Sequence, residues 1–220
     1  MKQWRLIIIV LVIAGIGIAI FRFLHHQQVL EQIINRLTAD SRVAQVLVTG
    51  VNYDEATKKN FTTIKFLEYD VKNNPLEPKY FTFPGRIIQF QALVVRFDDR
   101  FVKIGDKLRG KSAYLFLKVF ALNGANTKEF VITPVNDVPN GYRLSTHQNG
   151  FEQHFWRNFW KLAFDEKYAK AMGVKNVQIE APGMMFVPGF LYTLRIEHDG
   201  GLRIDTKPLP EILRGEKVLK

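Results

Sequence analysis

An uninterrupted apolar run close to the N-terminus is the strongest pattern in the sequence. Residues 6–24 contain a single charge, Arg22, among 19 positions. At about 1.5 Å per residue, a helix of this length is roughly 28 Å long, close to the hydrocarbon core of a bilayer. Trp4 and Arg5 precede the run and suit the headgroup layer. Residues 1–24 are therefore predicted to be a single transmembrane anchor that contacts the lipid bilayer through residues 6–24.

A cleaved signal peptide is the competing interpretation of this segment. Lys2 and Arg5 supply a basic beginning, and Gly17 and Ala19 form a small-x-small pair at which a peptidase cuts. The apolar run continues beyond that pair and is longer than a usual signal sequence, so we favour an uncleaved signal-anchor. The basic residues before the run favour a cytoplasmic N-terminus, with the C-terminal domain in the periplasm or outside the cell.

The pattern that follows predicts a helical stalk over residues 25–42. Its apolar residues recur at helical spacing and form one narrow stripe. They are Leu30, Ile33, Ile34 and Leu37. Two interpretations stay open: a short coiled coil that pairs copies or partners, and a helix docked on its own domain.

From residue 43 the period changes to two, which is typical of β-strands. Apolar and β-branched residues alternate with polar ones, and turn-forming residues separate the segments. The predicted strands cover residues 46–53, 61–71, 86–97, 113–121, 129–133, 174–180, 190–197 and 202–206. One amphipathic helix with a wide apolar face is predicted over residues 151–171.

The order of these elements indicates an α+β fold. A mainly antiparallel, sandwich-like β domain is predicted over residues 43–206, because helices and strands do not alternate regularly. The first and last strand pairs are predicted hairpins, and Asp199-Gly200-Gly201 supplies the turn of the last. Residues 207–220 are predicted to be a C-terminal tail.

The amino-acid composition excludes several kinds of chemical site. The 220 residues include no cysteine, which excludes disulfides, thiolate zinc sites, iron–sulfur clusters and a cysteine nucleophile. The net charge of +10 is spread along the chain rather than gathered in a patch, so no nucleic-acid partner is expected. No metal site, cofactor or catalytic residue is predicted.

One formal catalytic motif is present. Gly105, Gly110, Lys111 and Ser112 satisfy the spacing of a nucleotide-binding phosphate loop, G-x-x-x-x-G-K-[ST]. Such a loop requires a helix after it, whose N-terminus favours the phosphate. Residues 113–121 have the pattern of a strand instead, so we interpret the match as a turn between strands.

An alternative function, a membrane-tethered hydrolase of envelope polymers, depends on acid–base groups that converge in a cleft. The candidates are His147, His198, Asp98, Asp99, Glu152 and Glu180. A second alternative, a lipid- or glycan-binding module, requires an apolar cavity beside the helix of residues 151–171.

The sequence favours a non-enzymatic interaction protein over both alternatives. Two groups of residues are candidates for its contact surface: a tryptophan ridge on the long helix and an apolar cluster in a Pro–Gly loop. They are Trp156, Trp160, Met184, Met185 and Phe186. We expect a single-pass envelope protein of scaffold type, whose β-rich domain docks another envelope protein or a second copy of itself.

Overall fold

The structure, a computed structural model, describes residues 2–37, 44–69, 74–97, 112–122, 127–139, 150–196 and 201–210. The described helices are α1 (Lys2–Leu37), α2 (Gly150–Phe164) and α3 (Glu166–Ala171). The described strands are β1 (Ala44–Asp54), β2 (Lys59–Leu67), β3 (Lys79–Pro84), β4 (Ile87–Phe97), β5 (Ser112–Ala121), β6 (Glu129–Val131), β7 (Val174–Glu180), β8 (Gly183–Met185), β9 (Phe190–Ile196) and β10 (Leu202–Pro208).

The strands form two sheets of five strands each. The outer sheet has the order β10-β9-β1-β2-β3. In the central sheet the order is β6-β5-β4-β7, and β8 pairs with β4 beyond the end of β7. The strands that pair in these sheets run antiparallel. The prediction of an α+β chain with mainly antiparallel sheets is confirmed.

The two sheets pack face to face around an aromatic core. Alternate residues of β2, β4 and β5 point into this layer, as the period of two requires. The Phe66 ring stacks on Phe90 with centroids 5.5 Å apart and meets the edge of Phe116 at 5.6 Å. All three side chains are buried, and so are Ile64 and Leu194 beside them.

The other face of the central sheet packs against helices. Leu93 of β4 and Leu115 of β5 lie in one buried cluster with Phe155 and Phe159 of α2. The predicted helix is therefore buried against the sheet. Trp160 on the same helix is buried as well, and its Nε1 donates a hydrogen bond to the Asp137 carbonyl at 2.9 Å.

The helical segment is divided at Asp165, whereas the sequence predicts one helix over residues 151–171. Asp165 has an extended backbone (φ −106°, ψ 98°) and accepts a hydrogen bond from the Tyr168 N–H at 2.9 Å. It thereby caps the first turn of α3, which a carboxylate at this position stabilises. The break was hidden in the sequence because the apolar spacing continues across it.

Helix α1 is continuous from Lys2 to Leu37 and contacts both β5 and α2. The large apolar side chains between Ile7 and Phe21 are 54–70% exposed. The sequence predicts a transmembrane helix here. Within the part of the chain that the structure describes, no helix is both long enough and apolar enough to cross a membrane.

The predicted hairpin turns are reproduced where they are described. β1 and β2 pair from Gln45↔Leu67 to Asp54↔Lys59. At their turn, the Thr57 hydroxyl and then the Ala56 N–H donate to the Asp54 carboxylate and hold its pKa below the ordinary value. β9 and β10 also pair, and residues 197–200, which include Asp199 and Gly200 of the predicted turn, lie outside the described residues.

Two strands of the structure, β3 and β8, were not predicted from the sequence. β3 follows two prolines and ends on Pro84, so its neighbourhood has the composition of a loop. β8 is three residues long and lies between Pro182 and Pro188. Its pairing with β4 places Gly183 opposite Gln89, where a side chain on residue 183 would collide with the Gln89 side chain.

We predict that Phe159→Ala lowers the free energy of unfolding by about 3–5 kcal/mol, because Phe159 is fully buried and truncation leaves a cavity. The matched control is Phe164→Ala on the same helix. Phe164 is 56% exposed, so its loss is expected to cost about 1 kcal/mol or less. Chemical denaturation followed by tryptophan fluorescence measures both, and equal losses would contradict the assignment of the two faces of α2.

We further predict that Gly183→Ala destabilises the fold by about 1–3 kcal/mol through overpacking. An added Cβ would lie 2.9 Å from the Ile88 carbonyl oxygen as well as against Gln89. Gly50→Ala is the control, since a Cβ at Gly50 meets nothing within 4 Å. Thermal unfolding of the two variants compares them, and an unchanged Gly183→Ala midpoint would refute the pairing of β8 with β4.

Candidate interaction surface

The helices cover only part of the central sheet, and three rows of side chains beyond them stay uncovered. The first row crosses three strands. Ile87 of β4 lies opposite Met185 of β8, and its carbonyl accepts a hydrogen bond from the Leu122 N–H at 3.1 Å. Ile87 has the same parity as Leu93, so it points to the helix side of the sheet.

The second and third rows lie between this row and the helices. In the second, Gln89 lies opposite Gly183 and Phe120, and Phe120 pairs with Glu129. In the third, Gln91 lies opposite Lys118, and Lys118 pairs with Val131.

A bulge in β5 keeps these rows on one face. The register shifts between Gln91↔Lys118 and Ala92↔Phe116, so Leu117 is an extra residue in β5. After it, Val119 faces the sandwich core, and Lys118 faces the helix side. Without the bulge, the end of β5 would present its residues to the opposite layers.

We call the helix-side surface around these rows the open face. Its five aliphatic side chains, which include one at the border with the helices, are Ile87, Leu122, Val131, Ile179 and Met185. Each is between 44% and 59% exposed. Covering a half-exposed side chain of this size stabilises by about 1 kcal/mol, so a partner on the open face gains about 5 kcal/mol. Exposed apolar side chains gathered on one face of a sheet are a feature of interaction sites.

The positive and negative charges in these rows cancel each other. Lys118 Nζ donates to Glu129 Oε2 at 2.7 Å, and both side chains remain accessible at 35% and 52% exposure. Gln89 and Gln91 contribute neutral amides that both donate and accept hydrogen bonds. The rows are therefore electrically neutral, although the chain as a whole carries +10.

The residues predicted as a contact surface are distributed over core and surface. Met185 lies on the open face, whereas Met184 turns toward the sandwich core and Phe186 is fully buried in it. Trp156 and Trp160 are 2% and 3% exposed and belong to the core between helix and sheet. Of the five, Met185 is the one that the structure presents to a partner.

The formal phosphate-loop residues fall mostly outside the described part of the chain. Gly105, Gly110 and Lys111 lie there, and Ser112 is the first residue of β5. A strand therefore follows the motif, as the sequence predicts, where a phosphate loop would need a helix.

Among the six acid–base candidates, Glu180 is the one whose side chain the structure describes. Its Oε1 accepts hydrogen bonds from Arg96 Nη2 at 2.8 Å and from Gln178 Nε2. Its Oε2 accepts the Leu202 N–H at 2.9 Å. Because Leu202 begins β10, Glu180 joins the central sheet to the edge of the outer sheet.

Two cavities occur among the described residues. One of about 430 Å³ lies between Phe66 and the segment of residues 76–79. The other, of about 300 Å³, lies beside α2 and is lined by the polar residues Asn136, Asp137, Gln153 and Arg157 and by the apolar residues Val138, Trp156 and Trp160. Both cavities have mixed polar and apolar linings, whereas a lipid-binding module requires a predominantly apolar one. The described residues include no cluster of three metal-ligating side chains.

Comparisons of the chain with protein-family models, with curated proteins and with solved structures gave no match.

The sequence did not reveal four of the five aliphatic residues of the open face. Ile87, Leu122, Val131 and Ile179 belong to four different segments, and the strand pairing is what brings them together. One local signal exists, since Ile87-Ile88 places apolar side chains on both faces at the start of β4. It indicates burial on both sides, and the structure covers only one side there.

We predict that Glu180→Ala lowers the free energy of unfolding by about 2–3 kcal/mol, because it removes the carboxylate that accepts hydrogen bonds from the part-buried Arg96 and from the Leu202 N–H. Glu166→Ala is the control, because its ion pair with Lys170 is fully solvent-exposed. Urea denaturation is the measurement. If the two variants are equally stable, Glu180 does not join the sheets.

Proposed function

We propose that this chain is a single-pass, membrane-anchored protein of the cell envelope with a scaffold or interaction role. Its extracytoplasmic β-rich domain docks another envelope component through the open face. The observation that carries the proposal is the open face itself: five half-exposed aliphatic side chains on one side of a sheet whose other side is buried in the sandwich core.

Exposed apolar side chains support the membrane anchor. Those between Ile7 and Phe21 occupy every side of α1, and a helix that is apolar all round requires an apolar environment. The run of residues 6–24 in the sequence matches the thickness of a hydrocarbon core. Among the described residues, no helix meets the requirements for crossing a membrane.

The continuity of α1 supports a domain held close to the membrane. Residues 25–37 continue the same helix for about 20 Å at 1.5 Å per residue. Because α1 contacts β5 and α2, the predicted stalk is better interpreted as a helix docked on its own domain than as a free coiled coil. The open face is then held at a fixed distance from the bilayer.

The engagement of Glu180 favours an interaction role over a hydrolase. Its described hydrogen bonds go to Arg96 and Gln178 within the central sheet and to the Leu202 N–H of the outer sheet. A catalytic carboxylate needs an oxygen that reaches a substrate in a cleft.

We predict that the full chain sediments with membranes and resists extraction by alkaline carbonate, because the segment of residues 6–24 is embedded in lipid. A variant that lacks residues 2–24 should be released into the soluble fraction. Ile13→Lys places a charge at the middle of the segment and should weaken insertion, since such a charge costs about 3 kcal/mol. Quantitative immunoblotting of the fractions measures all three.

Orientation is tested on the same membranes. The chain has no cysteine, so Tyr53→Cys, at a position 59% exposed, introduces a single reactive thiol. A membrane-impermeant maleimide should label it in intact cells without lysis. Extraction of the full chain by carbonate would contradict the proposed anchor. Labelling only after lysis would contradict the proposed orientation.

A further inference from the structure

We infer that the open face binds a second copy of this chain, so that two anchored copies pair face to face about a two-fold axis. This inference rests on the proposed function and names the partner of the same surface.

Charge is the first argument for a second copy. Three of the 31 basic residues precede residue 25, so the remainder of the chain carries 28 basic and 21 acidic residues, a net charge of +7. Copies of a basic domain repel each other at most orientations. In the three rows of the open face, however, Lys118 and Glu129 are the charged residues, and they cancel. Two copies therefore meet there without net repulsion.

The polar groups of the open face are also complementary to themselves. In a two-fold contact each copy presents the same patch to the other. The amide of Gln89 both donates and accepts, so it can pair with the same amide of the other copy. Within one chain, Lys118 Nζ lies 2.7 Å from the Glu129 carboxylate. In the dimer, Lys118 of one copy pairs instead with Glu129 of the other copy. A purely acidic or basic partner would leave one member of this pair uncompensated.

Shape and size fit two sheets packed face to face, about 10 Å apart. Four strands about 4.8 Å apart and seven residues at about 3.3 Å each give a footprint of roughly 20 by 20 Å. Standard interfaces bury about 800 Å² per partner, so this contact belongs to the weak class. Confinement of both copies to one membrane compensates for the weak affinity of this contact, because it raises the effective concentration of each copy near the other.

Cysteine cross-linking of the full chain in its native membrane tests this inference. The absence of native cysteine makes a single introduced thiol specific. Met185→Cys and Ile87→Cys lie on the open face, and Val135→Cys, 52% exposed elsewhere, is the control. Under a mild oxidant, the open-face variants should give a disulfide-linked dimer of twice the chain mass. Its yield should exceed that of Val135→Cys by about tenfold or more.

A second set of variants, made in the Met185→Cys background, tests whether other residues of the open face contribute to the contact. Val131→Lys should reduce the cross-linked dimer by about tenfold, as charges at an interface do. Val135→Lys, the same substitution four residues further on, should leave it unchanged. Lys118→Glu and Glu129→Lys should each reduce the homodimer, and coexpression of the two should restore cross-linking between the unlike copies. Unchanged thermal midpoints show that each variant is folded.

The second-copy inference and the proposed function are contradicted by different experimental results. Equal yields from Met185→Cys and Val135→Cys, or no recovery on coexpression, would overturn the second-copy inference. A cross-linked product that contains a different protein would also overturn it, while supporting the docking role. Loss of the full chain from the membrane fraction would overturn the proposed function, and that measurement does not depend on the cross-link.

Discussion

The fold depends on the burial of both faces of the central sheet. β4 and β5 carry apolar side chains on both sides, Phe90 and Phe116 toward the outer sheet and Leu93 and Leu115 toward the helices. A sheet of this kind is stable only between two covering layers. The outer sheet covers one face of β4 from Ile88 to Ala92, whereas helices cover the other face around Leu93 and Val95. The open face is the remainder, and it is the source of the functional proposal.

Much of this architecture follows from patterns that the sequence displays. Alternation predicted the strands that carry the two cores, and the wide apolar face of the long helix predicted its burial. β3 and β8 were missed because their prolines resemble loop chemistry, and their pairing is imposed by β2 and β4. The division of the helix at Asp165 was missed because a capping side chain does not interrupt an apolar stripe.

The interaction surface was harder to predict than the fold, for a physical reason. Trp156 and Trp160 are large and apolar, and the sequence does not show that the segment around Asp137 covers them. Each aliphatic residue of the open face, taken alone, is of a type that is common in strands. They become a surface because of register: Ile87 faces Met185, and the β5 bulge turns Lys118 and Phe120 to their side. Register is a property of paired strands, which no single segment contains.

If two copies pair through the open face, that face is covered when the protein resides in its membrane. Oxidation of methionine side chains by hydroxyl radicals, followed by mass spectrometry, measures whether it is covered. Met185 is 55% exposed in the single chain, and Met172 is 3% exposed and serves as the internal reference. We expect Met185 to be protected in the membrane and to oxidise rapidly after dilution into detergent, while Met172 is oxidised slowly in both. Equally rapid oxidation of Met185 in the membrane would show that the open face is uncovered there.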